Sequence, residues 1–210
     1  MTTIFRTLAF VVVLSSSCLG QDFSRLEVFG GYSFFRVAEG KTEVKISGDV
    51  ITASRGSGKF HGWNASLVYN PTRRLGIVGE FSEVYGQMAY KLRIFDVSAG
   101  FDAASVFKSL LAGPQYSWRG KRITVSARAL AGAAVIDQSA NLTGQVMTVR
   151  GLSYALDFGG GMDFRINRHF SWRTIQVDYV LTRFRERIGG EVRQHNMRVS
   201  TGMILHLFKR

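Results

Sequence analysis

Cysteine is all but missing from this 210-residue chain: Cys18 is the only one, and it lies within the first twenty residues. A disulfide framework is thereby excluded for the rest, and stability has to come from backbone pairing and packing. Also missing after residue 20 is any continuous apolar run approaching the roughly 20 residues of a membrane helix. If the chain spans a bilayer, it does so with strands closed into a barrel. Acid is scarce as well, with 15 Asp and Glu against 27 Lys and Arg and a formal charge of +12.

The first residues explain where that charge is used. Arg6, the apolar stretch Leu8 to Leu14 and the small residues from Ser15 to Gly20 have the form of a secretory leader, with cleavage expected before Gln21. A lipidated Cys18 fits less well, because Ser15 stands where such signals usually carry Leu. The expected division is a leader over 1–20 and one domain over 21–210, a length suited to a single domain. An exported chain seldom meets nucleic acid, so the acidic partners expected for the basic surplus are phosphate-bearing lipid headgroups.

What the chain has in abundance is alternation. Leu152, Tyr154, Leu156, Phe158, Met162, Phe164 and Ile166 share one parity, while Ser153, Asp157, Asp163 and Arg165 share the other. A helix would scatter those sets around its circumference; a strand separates them onto two faces. The segment is also longer than the roughly 9–11 residues with which a tilted strand crosses a bilayer. Comparable segments occur at about Leu26–Val37, His61–Asn70, Leu75–Gly86, Ser105–Trp118, Arg122–Ile136, Phe170–Phe184 and Asn196–Phe208. With Leu152–Ile166 they predict eight strands.

Their connections alternate in length. Pro71–Arg74, Arg119–Lys121 and Asn167–His169 are tight, whereas Ala38–Phe60, Gln87–Ala104, Asp137–Gly151 and Arg185–His195 are long. An up-and-down meander then places both termini and every short turn at one end, and every long loop at the other. Bacterial outer-membrane barrels have that asymmetry. Alternation alone does not say which face is outside, but Gly, Ser and Ala crowd the polar face, as in Ser126, Gly132, Gly159, Gly161 and Ser200. Small side chains suit a narrow lumen, and aromatics near strand ends, such as Tyr32, Trp63, Tyr69, Tyr85 and Trp118, suit interfacial girdles.

Three motifs carry a family likeness: Glu27-Val28-Phe29-Gly30-Gly31-Tyr32-Ser33-Phe34, the Gly62-Trp63-Asn64-Ala65-Ser66 strand with its Asn70-Pro71 turn, and Leu111-Ala112-Gly113-Pro114-Gln115-Tyr116-Ser117. With them the chain resembles the eight-stranded outer-membrane β-barrel domain family, which includes the OmpA transmembrane domain and OmpX-like barrels. The resemblance implies an all-β, antiparallel, up-and-down transmembrane barrel in the bacterial outer membrane. It also implies a monomer among outer-membrane lipid and lipopolysaccharide, with long loops free to meet surface ligands.

Chemistry has to be sought on the inward parity, which holds Glu27, Glu80, Arg128, Asp157, Asp163, Arg165, Gln176, Asp178, Arg198 and His206. Charges held away from bulk water need partners, and an eight-stranded lumen is just wide enough for side chains to fill. The expectation is therefore a plugging network built on Glu80, Arg128, Asp157, Asp163, Arg165 and Asp178. Within it Arg128 should pair with Asp157, Glu80 or both. No catalytic, metal or cofactor site is expected. His61, His169, His195 and His206 lack ligand spacing. His61 lies about 16 Å from Ser66 along one strand at the usual rise. Gly56-Ser57-Gly58-Lys59 lacks the first glycine of a phosphate loop, since Ala53 stands there. The expected function is a non-enzymatic envelope or surface-contact protein, with a small passive channel or a lipid-modifying enzyme as alternatives.

Overall fold

A computed structural model of the chain describes residues 23–37, 40–46, 49–56, 58–94, 97–142, 145–186 and 190–209; the expected leader lies outside them. Ten strands follow in order: β1 (Ser24–Val37), β2 (Gly40–Ile46), β3 (Asp49–Arg55), β4 (Gly58–Tyr69), β5 (Leu75–Ile94), β6 (Val97–Arg119), β7 (Ile123–Leu142), β8 (Gln145–Arg165), β9 (Phe170–Glu186) and β10 (Gly190–Lys209). Their hydrogen-bonded order is β2-β3-β5-β4-β1-β10-β9-β8-β7-β6, and a further β5–β6 pairing closes eight of them into a ring. Every pairing is antiparallel. The barrel is the eight-stranded meander that the alternation predicts.

The remaining two strands change the reading of the long connections. β2 and β3 pair with each other in the register of β1 and β4 below them (Gly40 opposite Arg55, Val37 opposite Gly58), so the first hairpin simply continues past the wall. β3 then takes the edge of β5 above the point where β4 ends, with Arg55 opposite Tyr90. Gly56, expected in a flexible loop, donates its N–H to Ala89 O at 2.9 Å, and Gly58 and Lys59 belong to β4. The segments expected as loops over Gln87–Ala104 and Asp137–Gly151 are likewise mostly strand. Period-two patterning weakens once a strand leaves the lipid, because both faces then meet water, and pattern alone ends the strand too early.

Register fixes the ring's geometry. Partners traced from Gly58 through Val37, Asn196, Val180 and Asp157, across Leu130 and Gly113 to Val78, return to β4 at Val68 rather than at Gly58. A stagger of that kind is what tilts strands so that a sheet can close. Pro114 sits in β6 where the ladder to β7 is interrupted, its lack of an N–H being tolerated there. Large apolar side chains face outward: Leu152, Tyr154, Leu156 and Phe158 are all exposed, Leu156 by 45%, while Ser153, Ala155 and Asp157 between them are buried. Girdles mark both rims, with Tyr69, Trp118, Phe164 and Trp172 near the tight turns and Tyr85 and Tyr154 toward the other end.

Candidate functional site: the barrel lumen

Three successive pairings put Arg198 on β10, Asp178 on β9, Gly159 on β8 and Arg128 on β7 in one hydrogen-bonded row. Alternation turns Arg198, Asp178 and Arg128 inward, and Gly159 supplies the space they need. A Cβ at Gly159 would stand 2.1 Å from Asp178 Oδ1 and 2.6 Å from Val177 O. Arg128 donates through Nε and Nη2 to the two oxygens of Asp178 at 3.1 and 2.8 Å, and through Nη1 to Glu80 Oε2 at 2.7 Å. Arg198 donates to Glu80 Oε1 and Asp157 Oδ2, each at 2.5 Å, and to Asp178 Oδ2 at 3.1 Å. Two guanidinium forks thus serve three carboxylates, in the bidentate geometry that makes arginine suited to buried ion pairs.

The expected partners of Arg128 are met unequally. Glu80 is bonded directly, whereas Asp157 lies 3.9 Å from Arg128 and its closer partner is Arg198. Asp163 belongs to an adjoining group, bound at 2.7 and 3.1 Å by Arg173, whose Nη1 donates to Gln176 Oε1 at 2.7 Å. Gln176 in turn donates to Asp178 Oδ2 at 2.7 Å, so the two groups are continuous. Arg165, half-buried at the turn end of β8, joins none of the described ion pairs. Nearer that end Arg119 donates to Glu27 at 3.0 Å, with His206 Nδ1 3.7 Å from the same oxygen.

Arg173 escapes a parity argument based on Gln176 and Asp178. The register slips between Met162 and Asp163, where β9 fits Thr174 in as an extra residue. The bulge returns Ser171 and Arg173 to the lumen and sends Phe170 and Trp172 outward. A signal was present, since Phe170 and Trp172 have the opposite parity to Ile175, Val177 and Tyr179. Two apolar sets out of phase along one strand mark a bulge. Arg173 also lies over the Phe29 ring, 4.6 Å from its centroid, and that ring fills space left by Gly31, where a Cβ would meet Phe29 Cζ at 2.7 Å.

On the long-hairpin side of the charges apolar side chains enter the lumen, interleaved with buried Ser82, Ser109, Ser153, Thr182 and Asn196. Past Glu80 come Val84 and Met88, past Arg128 come Leu130 and Ala134, past Asp157 comes Ala155 and past Asp178 comes Val180, all buried. Phe35 stacks on Phe107 with centroids 4.9 Å apart and meets Phe60 edge-on at 6.3 Å. These residues form one contiguous cluster inside the barrel. The lumen is thus filled by an ionic layer beneath an aromatic layer.

The histidines take separate places. His61 and His195 face outward, each hydrogen-bonded to a tyrosine (Tyr32 and Tyr179), while His206 bonds Ser171 at 2.7 Å and His169 sits in a turn capped by Asn167. Ser66 points inward and His61 outward, so the two do not face each other. Among the described residues no three His, Cys, Asp or Glu side chains gather as metal ligands do.

Neither a family model nor a curated relative matches the sequence. The fold, however, is similar to several solved structures. Ail, the attachment invasion locus protein of Yersinia pestis, superposes with a TM-score of 0.51 at 18% identity over 87% of this chain and 99% of its own. Neisserial surface protein A gives 0.54 at 13% identity over 88% and 98%, and the outer membrane protein OprG of Pseudomonas aeruginosa gives 0.50 at 12% over 90% and 98%. Identities this low carry the architecture and nothing about ligands.

Proposed function

We propose, from the premise that this chain is an eight-stranded β-barrel of the outer-membrane type, that it is a non-enzymatic, monomeric integral protein of the bacterial outer membrane. Its lumen is a plug, and its extended hairpins carry contacts with lipopolysaccharide and surface ligands. The observation that supports this reading is the filling of the lumen: Glu80, Arg128, Asp157, Asp178 and Arg198 cross it, and Phe35, Phe60 and Phe107 close it above. A path for ions would have to break charge-assisted bonds that are costly to leave unmade. The hairpins fit the contact role because β2, β3 and the far halves of β5 and β6 extend as sheet beyond the ring. Two of the similar structures are named for attachment and for the cell surface, which agrees with a task outside the cell. The wall closes within one chain, so no second copy is needed to complete it.

The test is conductance of the full chain in planar bilayers. Currents at the lipid baseline are expected; a steady single-channel conductance would make the passive channel the better reading. Lipid A mass spectra from cells with and without the gene address the enzymatic alternative, and identical spectra are expected.

A further inference from the structure

The centre of the lumen does not balance its charge. Glu80, Asp157 and Asp178 are three carboxylates, and Arg128 and Arg198 are the two guanidiniums that serve them. The neighbouring pairs are one to one, Arg173 with Asp163 and Arg119 with Glu27, and lend no cation. The surplus shows at Asp157, whose Oδ1 has no hydrogen-bond partner among the described residues although the side chain is fully buried. An uncompensated charge held away from water is costly, so the surplus calls for a counterion.

A second, independent irregularity lies beside it. Register sets Ser66 opposite Glu80 and Asn64 opposite Ser82, and all four point inward, so β4 and β5 present a two-by-two block of oxygen-bearing side chains. Directly opposed side chains on one face stand within about 5.5 Å at Cβ. Ser82 bonds Ser109 at 2.8 Å and Glu80 is held by the two arginines, but Ser66 Oγ and both amide atoms of Asn64 have no partner among the described residues. Apolar side chains bound the block: Val68 and Val78 toward the turns, Val84 toward the hairpins, Phe29 and Leu111 at the sides, all buried. Orphaned polar groups in such a setting mark the place of a bound ion or water. Glu80 can take part as well, because a carboxylate offers about four lone-pair sites and the guanidiniums occupy only some of them.

We propose that the lumen binds one alkali-metal cation, of the sodium or potassium class, between Asn64 Oδ1, Ser66 Oγ and Glu80, with Ser82 beside it. The donor set is oxygen throughout, which suits a hard cation, and it lacks the imidazoles and thiolates that select transition metals. A single positive charge cancels the surplus; a divalent ion would reverse it. The cation completes the ionic layer of the plug and so makes the barrel's stability depend on which salt is present. The inference rests on the plugged-lumen reading and adds a ligand to it.

The experiment is equilibrium unfolding of the full chain by urea from phosphatidylcholine vesicles, with sodium or potassium chloride exchanged for choline chloride at constant ionic strength. Choline is too bulky for the block, so it serves as the inert cation. Above half-saturation the unfolding constant should fall about tenfold for each tenfold rise in the alkali ion, as for any ligand that binds only the folded state. The N64A/S66A double variant, which removes the orphaned ligands, should unfold alike in sodium and choline. So should D157N, which removes the surplus charge and touches none of the four block residues. S126A, at an inward serine on β7, should keep the wild-type dependence. Wild-type protein indifferent to the cation overturns the inference and assigns the surplus to a proton and the orphaned groups to water; this comparison needs no variant to fold. A dependence that persists in N64A/S66A or in D157N overturns it equally. Planar-bilayer currents are recorded alongside. A non-conducting barrel that ignores cation identity defeats only this inference, and a conducting one defeats the plugged lumen with it.

Discussion

Arg198 touches Glu80, Asp157 and Asp178 together, so its removal would leave three buried carboxylates to share Arg128 alone. Breaking a buried ion group by deleting one member costs about 3–5 kcal/mol. Arg198→Ala and Arg128→Ala should each lower the unfolding free energy by roughly that amount in urea titrations from lipid vesicles. Arg165→Ala, at a half-buried position outside the described ion pairs, should stay within about 0.5 kcal/mol of wild type. Equal losses at Arg165 and Arg198 would remove the network from the account of stability. Gly159→Ala tests the same cluster from the backbone side, because its methyl has to displace the Asp178 carboxylate. It should destabilise more than Gly79→Ala, where a Cβ meets nothing within 4 Å.

Strands set which faces those residues occupy. On β8 and β9 the outward positions include Leu156 and Val177, and Leu156→Arg or Val177→Arg should each cost about 2–4 kcal/mol if the residue lies near the bilayer midplane. Folding yields in detergent and bilayer equal to wild type would reverse the assigned orientation. The bulge at Thr174 makes a stricter prediction. Its deletion removes the one extra residue, so Ile175, Arg173, Trp172 and Ser171 alternate without a break, Asp163 stays opposite Arg173, and Trp172 stays outward. The deletion variant should therefore assemble, with heat-dependent gel mobility like that of the wild type; loss of assembly would show that the bulge is needed for more than facing. Replacing β2 and β3 by a short turn should likewise leave the heat-modifiable barrel intact, because among the described residues those strands pair with each other and with the far end of β5.

At the scale of the whole molecule, closure and filling are coupled. A staggered eight-stranded ring leaves an interior that side chains fill, and here they fill it with ion pairs toward the turns and aromatics toward the hairpins. Two barriers in series suggest a definite experiment: the single variants Arg128→Ala and Phe107→Ala should each remain non-conducting in planar bilayers, since the other layer still blocks the path. Conductance in either single variant would show that one layer alone closes the lumen.

The sequence by itself determined the strand class, the eight-stranded ring, the tight turns and the inward parity of Glu80, Arg128, Asp157 and Asp178, because each follows from a period of two read along one chain. It also carried the bulge, in the phase change between Trp172 and Ile175, although a strand read from its middle outward conceals it. Two things were decided only by the tertiary structure. One is the pairing of charges: Arg198 and Glu80 are 118 residues apart, and which guanidinium reaches which carboxylate depends on stagger and barrel radius, which no local pattern encodes. The other is the charge of the centre, three carboxylates with two guanidiniums drawn from five strands, since separate strands come level only once the ring has closed and its register is set.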